Sequence, residues 1–259
     1  MAKNTFRSKT PAPKKSKASS RPRLASVWVR LKRVLIKFVI FFFVSTISAV
    51  VLFKFVPVPF TATMFTRKIE AIAESKDSEI HYQWVSYDKI SKEMPLAVVA
   101  AEDQLFPDHY GFDFGSMKTA FNRNLKGRKI RGASTISQQV AKNVFLWQTR
   151  SYIRKAIEVY FTVLIELIWG KQRILEVYLN VAEMGDMTFG VEAASNRYFD
   201  KPAKTLTREQ AARIAAVLPN PRKWSIQKPG PYVTRRTGGI ARQMRALGGP
   251  SYLKDLRKF

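Results

Sequence analysis

A mainly α-helical domain behind a single membrane-spanning helix is the fold class this chain predicts. Three observations carry it. One long uncharged apolar run lies near the N-terminus, helical periodicity fills most of the remaining residues, and no long stretch alternates apolar and polar residues as a half-buried strand would. The 259 residues suffice for one large or two modest domains with a proper core.

Taken in order, residues 1–33 are rich in Lys, Arg, Ser and Pro and hold too little apolar surface to fold, so a disordered basic tail is expected there. Residues 34–56 read as the membrane helix. Phe38 to Phe53 carries no charge, and Lys37 and Lys54 stand near its ends, where their stems can snorkel to the interfaces. A cleaved signal would need a shorter apolar region and a small-residue cleavage site, whereas Val-Pro-Val-Pro-Phe comes next here. The net charge of +26 is uneven: residues 1–69 contain fifteen Lys and Arg and no acid before Glu70. By the positive-inside rule the basic tail stays cytoplasmic and the rest lies outside, facing lipid head groups and not nucleic acid.

Residues 57–69 are expected to be an extended linker, with a first helix from Lys68 to Ser75. Residues 70–225 then form the globular domain. Its periodic segments predict helices over 95–102, 116–125, 134–145, 151–169, 171–184, 190–197 and 207–217, the last opened by a Thr207/Gln210 capping box. Residues 226–259 read as a basic, loop-rich C-terminal extension with a last amphipathic piece around Tyr252 to Phe259.

Composition excludes several chemistries. There is no Cys, which removes thiolate catalysis, disulfides and Cys-ligated zinc, and the two His, His81 and His109, cannot build a His-rich metal site. What remains is carboxylate chemistry. Glu102 and Asp103 come directly after the apolar run Leu96 to Ala101, and a carboxylate against an apolar wall has a raised pKa, as a general base or acid near neutral pH requires. Phe106 and His109 stand close by. An ordinary surface acid is the bland alternative.

Ser134, Thr135, Ser137, Gln138 and Gln139 put five polar side chains in six positions. Such a run suits a helix entrance, with Ser134 or Thr135 as cap, and its glutamines can reach ligand hydroxyls; a cap on a solvated helix explains it as well. Lys142 lies two turns below Thr135. Arg154 and Glu158 are helical neighbours, and Glu158 enters a segment apolar all round, so it forms either a structural ion pair or a second active-site carboxylate. In the helix expected over 171–184, Ile174, Leu175, Tyr178 and Leu179 form an apolar stripe, and Asn180 lies beside it on a second face with Glu176 and Glu183, as a solvated face or as a site amide. Arg128, Lys129, Arg131, Lys142, Arg154 and Lys155 fall between the two candidate acids, as general surface charge or as a phosphate pocket.

These segments, in this order, resemble the peptidoglycan glycosyltransferases of family 51. Glu-Asp-x-x-Phe-x-x-His-x-Gly stands at 102–111, Gly-x-Ser-Thr-x-x-Gln-Gln at 132–139, Arg-Lys-x-x-Glu at 154–158 and Lys-x-x-Ile-Leu-x-x-Tyr-Leu-Asn at 171–180. The resemblance covers about 60–225 and is to members with one membrane anchor and no transpeptidase domain. It implies a lysozyme-like helical domain with a membrane-facing lobe, acting on lipid II and a lipid-linked glycan chain outside the bacterial inner membrane, beside cell-wall synthesis or division proteins. It implies that Glu102 is the base on the acceptor 4-hydroxyl. Glu158, Lys142, Arg154 and Lys155 would then surround the donor diphosphate, and Asp103, Phe106, His109, Ser134, Thr135, Gln138, Gln139 and Asn180 would shape the site. No residue set reads as a metal site, and a divalent cation such as Mg2+ would arrive with the diphosphate. Phe112, Phe114, Met117, Phe121 and Leu125, interleaved with Arg123 and Lys126, suit an interfacial segment that receives lipid. Ala133 stands where the family usually has a second glycine.

Two other readings compete. A lytic enzyme cleaving the same glycan would also use two carboxylates but has no diphosphate to hold. A non-enzymatic scaffold binding anionic lipid would need the bases and not Glu102.

Overall fold

The computed structural model describes residues 22–125, 134–149 and 151–258. The chain divides into two compact units, Met1–Thr46 and Ile47–Phe259. In the first, the described residues are helical throughout and belong to α1, Pro22–Phe55. Val27–Phe55 within it has a mean hydropathy of 2.5 and is almost wholly exposed, as a lipid-facing segment would be. Twenty-nine residues rise about 43 Å, enough to cross a bilayer core with room for tilt. Thr46 hides its hydroxyl by donating back to the Phe42 carbonyl at 2.7 Å. Pro22 falls inside the stretch expected to be disordered. A proline suits the first helical turn, where its missing N–H has no partner to lose, and the residues after it are good helix formers.

The second unit begins with the last turns of α1. Trp169 Nε1 donates to the Val50 carbonyl at 2.7 Å, and Arg173 donates to the carbonyls of Phe53 (2.8 and 3.1 Å) and Val56. These carbonyls lie in or just beyond the final turns of α1, so a cation caps the negative end of that helix. The chain then enters α2, Ala62–Ala73, capped by the Thr61 side chain accepting from Met64 N. The linker is therefore shorter than the sequence suggested. Arg67 is buried under this helix and binds Glu70, Glu183 and Asp186.

After a short strand β1, His81–Tyr82, comes α3, Glu93–Glu102, buried from Met94 to Ala100 on every side. A helix apolar all round belongs at the centre of a core. Next are α4, Phe114–Leu125, α5, Ile136–Phe145, α6, Tyr152–Ile168, and α7, Lys171–Val181. The helix expected over 171–184 ends earlier because Glu183–Gly185 forms strand β2, which pairs antiparallel with β3, Thr188–Phe189; β1 lies parallel on the other side of β3. The remaining helices are α8, Val191–Phe199, α9, Arg208–Val217, and α10, Pro231–Ala246, before a closing 3-10 segment.

Two helix groups share one core. α3 packs against α9 and α10, while α5 packs against α6 and α7. The C-terminal stretch is thus part of the domain: Ile226, Val233, Ile240, Met244 and Leu256 are all core residues. Val233, Thr237, Ile240 and Met244 form a helical stripe at spacings of four, three and four.

Candidate active site

Glu102 is the last residue of α3, and its side chain is only 16 % exposed. Burial pushes its carboxyl above the usual carboxylate range; a hydrogen bond from Gln139 and the charges of Arg236 and Lys142 oppose this, while Asp103 adds to it. Each oxygen has a distinct neighbour. Gln139 Nε2 donates to Oε2 at 3.1 Å, and Arg236 Nη2 stands 3.5 Å from Oε1. Tyr178 orients the Gln139 amide by donating its hydroxyl to Oε1 at 3.3 Å. That phenol is fully buried, and burial followed by the two carboxylates raises its pKa well above normal, so it stays a donor.

The neighbouring side chains form the frame. Asp103 accepts from His109 Nε2 (2.9 and 3.1 Å) and from the backbone N–H of Ile136 (2.9 Å), the first residue of α5. Thr135 caps α5 and completes a capping box with Gln138. Its hydroxyl also donates to the Gly111 carbonyl at 2.7 Å. Gly111 has a φ of +82°, and a Cβ there would lie 2.8 Å from Thr162 of α6, so this corner accepts only glycine. Phe106 is wholly buried beneath the site, with Lys171 Nζ 4.6 Å above its ring. Lys171 also donates to Glu166 at 2.8 Å, and Glu166 accepts from Ser137.

Beside this frame a cavity of about 380 Å3 is lined by Ser134, Gln138, Gln139, Lys142, Gln148, Arg154, Lys155 and Glu158. Glu158 is buried and receives Arg154 at 2.9 Å and Lys155 on its other oxygen. The ion pair therefore stands at the cavity itself: Glu158 lines it while fixing two cations there. Arg154 Nε is buried without a hydrogen-bond partner among the described residues. Three cationic side chains and several amides make a chamber suited to an oxyanion.

The sequence-predicted residues thus divide. Glu102, Gln139, Lys142, Arg154, Lys155, Glu158, Ser134 and Gln138 sit on or beside the cavity. Asp103, His109 and Thr135 hold its walls. Two assignments need correction. Phe106 is fully buried and supports the site from below. Asn180 is also fully buried: its Oδ1 accepts from Val85 N (2.8 Å), and its Nδ2 donates to the carbonyls of Val85 and Glu176 (2.9 Å each). Both of its amide hydrogens and one lone pair of Oδ1 go to backbone groups, and the full burial of the side chain keeps a substrate away from the rest. Arg128, Lys129, Arg131, Ala133 and Lys126 lie outside the described residues, as do the side chains of Phe121, Arg123 and Leu125. Phe112 and Phe114 stack at 6.0 Å, and Phe114 is exposed.

Sequence reasoning did not single out Arg236, which faces Glu102, and it read Tyr178 as part of an apolar stripe and of the fourth motif without a hydrogen-bonding role. Tyr178 carried a usable signal, since a buried tyrosine hydroxyl needs a partner. Arg236 carried none, being one base among many in a segment expected to be loop.

Residues 68–245 match the family model described as Transglycosylase. The chain is 53% identical over 224 residues to a protein of Pasteurella multocida (strain Pm70), covering 86% of this chain and 91% of that one. It is 51% identical over 215 residues to one of Pseudomonas fluorescens (strain SBW25), covering 83% and 90%. A protein of Xanthomonas axonopodis pv. citri (strain 306) is 48% identical over 239 residues, covering 92% and 96%. All three relatives are named biosynthetic peptidoglycan transglycosylase.

Proposed function

The chain belongs to the transglycosylase family and is a peptidoglycan glycosyltransferase, and we propose that it polymerises lipid II with Glu102 as the base. Glu102 takes the proton from the acceptor 4-hydroxyl. The oxygen forms a bond to the anomeric carbon of the lipid-linked chain as that carbon's bond to the diphosphate breaks. The leaving undecaprenyl diphosphate keeps the bonding electrons, and attack from the opposite face turns an α linkage into a β-1,4 linkage.

The supporting observation is the double contact of Gln139, which donates to Glu102 and lines the cationic cavity. A base and an anion chamber one side chain apart suit a reaction that activates one oxygen while a diphosphate departs. Lys142, Arg154 and Lys155 face charge that grows in the transition state, where fixed cations lower the barrier most. Glu158, already paired with two cations, holds them in place and moves no proton. A divalent cation would reach so basic a chamber only on the diphosphate itself.

The apolar helix Val27–Phe55, long enough to cross a bilayer, would anchor the enzyme to the membrane that holds its substrate. The basic tail puts the N-terminus in the cytoplasm and the catalytic unit on the outer side of the bacterial inner membrane. Exposed Phe114 and Met117 on α4 suit contact with the lipid interface.

Incubation of the full chain with purified lipid II tests this. Polymer is expected from the natural sequence, and Glu102→Gln is expected to lower the rate by about 10²–10⁴-fold. Full polymerising activity in that variant would remove Glu102 from the mechanism. Release of fragments from finished sacculi in place of polymer would favour a lytic enzyme.

A further inference from the structure

We infer that Arg236, on the C-terminal helix α10, is a positioning residue for the proposed proton transfer, holding Glu102 as an anion while leaving one of its oxygens open to the acceptor hydroxyl. The inference rests on the reading of Glu102 as base.

The geometry differs from that of a structural ion pair in the same molecule. Arg208 grips Glu93 with two parallel hydrogen bonds, 2.8 and 3.0 Å, one to each carboxylate oxygen. Arg236 makes a single contact with Glu102, at 3.5 Å. Its Nε is buried and has no hydrogen-bond partner among the described residues. A forked grip would occupy the lone pairs that a base must offer; a stand-off supplies the charge and leaves Oε1 accessible. With Gln139 on Oε2, the proton has one place to go.

Among the described residues, the charged and titratable groups facing Glu102 come from four helices: Asp103 beside it at the end of α3, Lys142 from α5, Tyr178 from α7 and Arg236 from α10. Asp103 disfavours the anion and Tyr178 is a neutral phenol, so two cations favour it. They are not equivalent. Lys142 lines the anion cavity, and a diphosphate bound there would offset its charge. Arg236 is not among the lining residues. With donor bound, Arg236 is, among the described residues, the cation left to oppose the burial of Glu102.

The test is the pH dependence of lipid II polymerisation by the full chain in detergent or vesicles, comparing the natural sequence with Arg236→Met and Arg236→Lys. An opposite charge this close lowers a carboxyl pKa by about 1 unit or more. The acidic limb of kcat should therefore move up by about 1 unit in Arg236→Met, with KM little changed and the loss at pH 7 recovered at higher pH. Arg236→Lys should restore most of the shift. Coincident acidic limbs in all three proteins, whatever their rates, would overturn the inference. Should Arg236→Met not fold, Arg236→Gln and direct carbon-13 titration of the Glu102 carboxyl give the same comparison. Glu102→Gln separates the two claims. If it stays active, the base assignment falls and Arg236 with it; if it is inactive while the limb stays put, only Arg236 loses its role.

Discussion

Asp103 accepts the backbone N–H of Ile136 at 2.9 Å. The residue beside the proposed base therefore holds the first turn of the helix whose fourth residue, Gln139, reaches back to that base. His109 closes the same clamp from the other side. Replacing Asp103 with Ala leaves both donors buried and unpaired, at a cost of about 1–3 kcal/mol each. Urea unfolding should show that loss, together with a fall in polymerisation as Gln139 loses its register. Unchanged stability would mean that water replaces the carboxylate at both donors.

Tyr178 acts one step further out. Tyr178→Phe keeps the packing and removes the donor that orients the Gln139 amide. The expected result is a drop in kcat of roughly twofold to thirteenfold, matching about 0.5–1.5 kcal/mol for one neutral hydrogen bond, with KM unchanged. A rise in KM with constant kcat would point to substrate contact instead.

Burial that makes Glu102 basic must also strain the fold. Its folded pKa lies above the unfolded value, so ionising it disfavours the native state. The penalty is absent below the unfolded pKa, grows as pH rises between the unfolded and folded values, and is complete above the folded one. Glu102→Gln should therefore melt higher than the natural protein at neutral pH, and the gap should close on acidification. A variant that melts lower at pH 7 would show that the carboxylate's partners outweigh its desolvation.

The cavity cations carry a different signature. Lys142→Ala and Arg154→Ala should each slow polymerisation by about 10²–10³-fold, the usual cost of losing a group aimed at developing charge. Arg154→Ala should also loosen the fold, since the buried Glu158 then loses one of the two cations that bind it. Lipid II turnover and thermal melting, measured together, separate the two effects.

Much of this was legible in the chain. The apolar run to Ala101 announced a buried helix ending in an acid, and the Thr207/Gln210 capping box stood at its helix entrance; of the two caps considered for α5 the structure takes Thr135, and its partner Gln138 reads from sequence alone as a ligand contact. What stayed hidden depended on distant partners. Asn180 looks like a ligand-binding amide until Val85, ninety-five residues earlier, takes both ends of it. Phe106 next to an acid looks like a site wall until Lys171 covers its ring. The stripe of α10 was present but interrupted by Gly238, Gly239 and four arginines, so a basic loop was the simpler reading. Close to Asn180, Gly190 has a φ of +83°, and a Cβ there would come within 2.4 Å of the Asn180 carbonyl, a constraint no local pattern reveals.

The grip of Arg173 on the carbonyls of Phe53 and Val56 bears on how the enzyme should be handled at the bench. A soluble version trimmed at residue 57 would strip this guanidinium of its oxygens and the Trp169 indole of Val50. Arg173 also reaches Glu176, whose other oxygen takes the Tyr87 amide, so the injury would spread inward along α7. Truncations that begin no later than Ile47 should give better-behaved preparations than shorter ones, even though the added decapeptide is greasy.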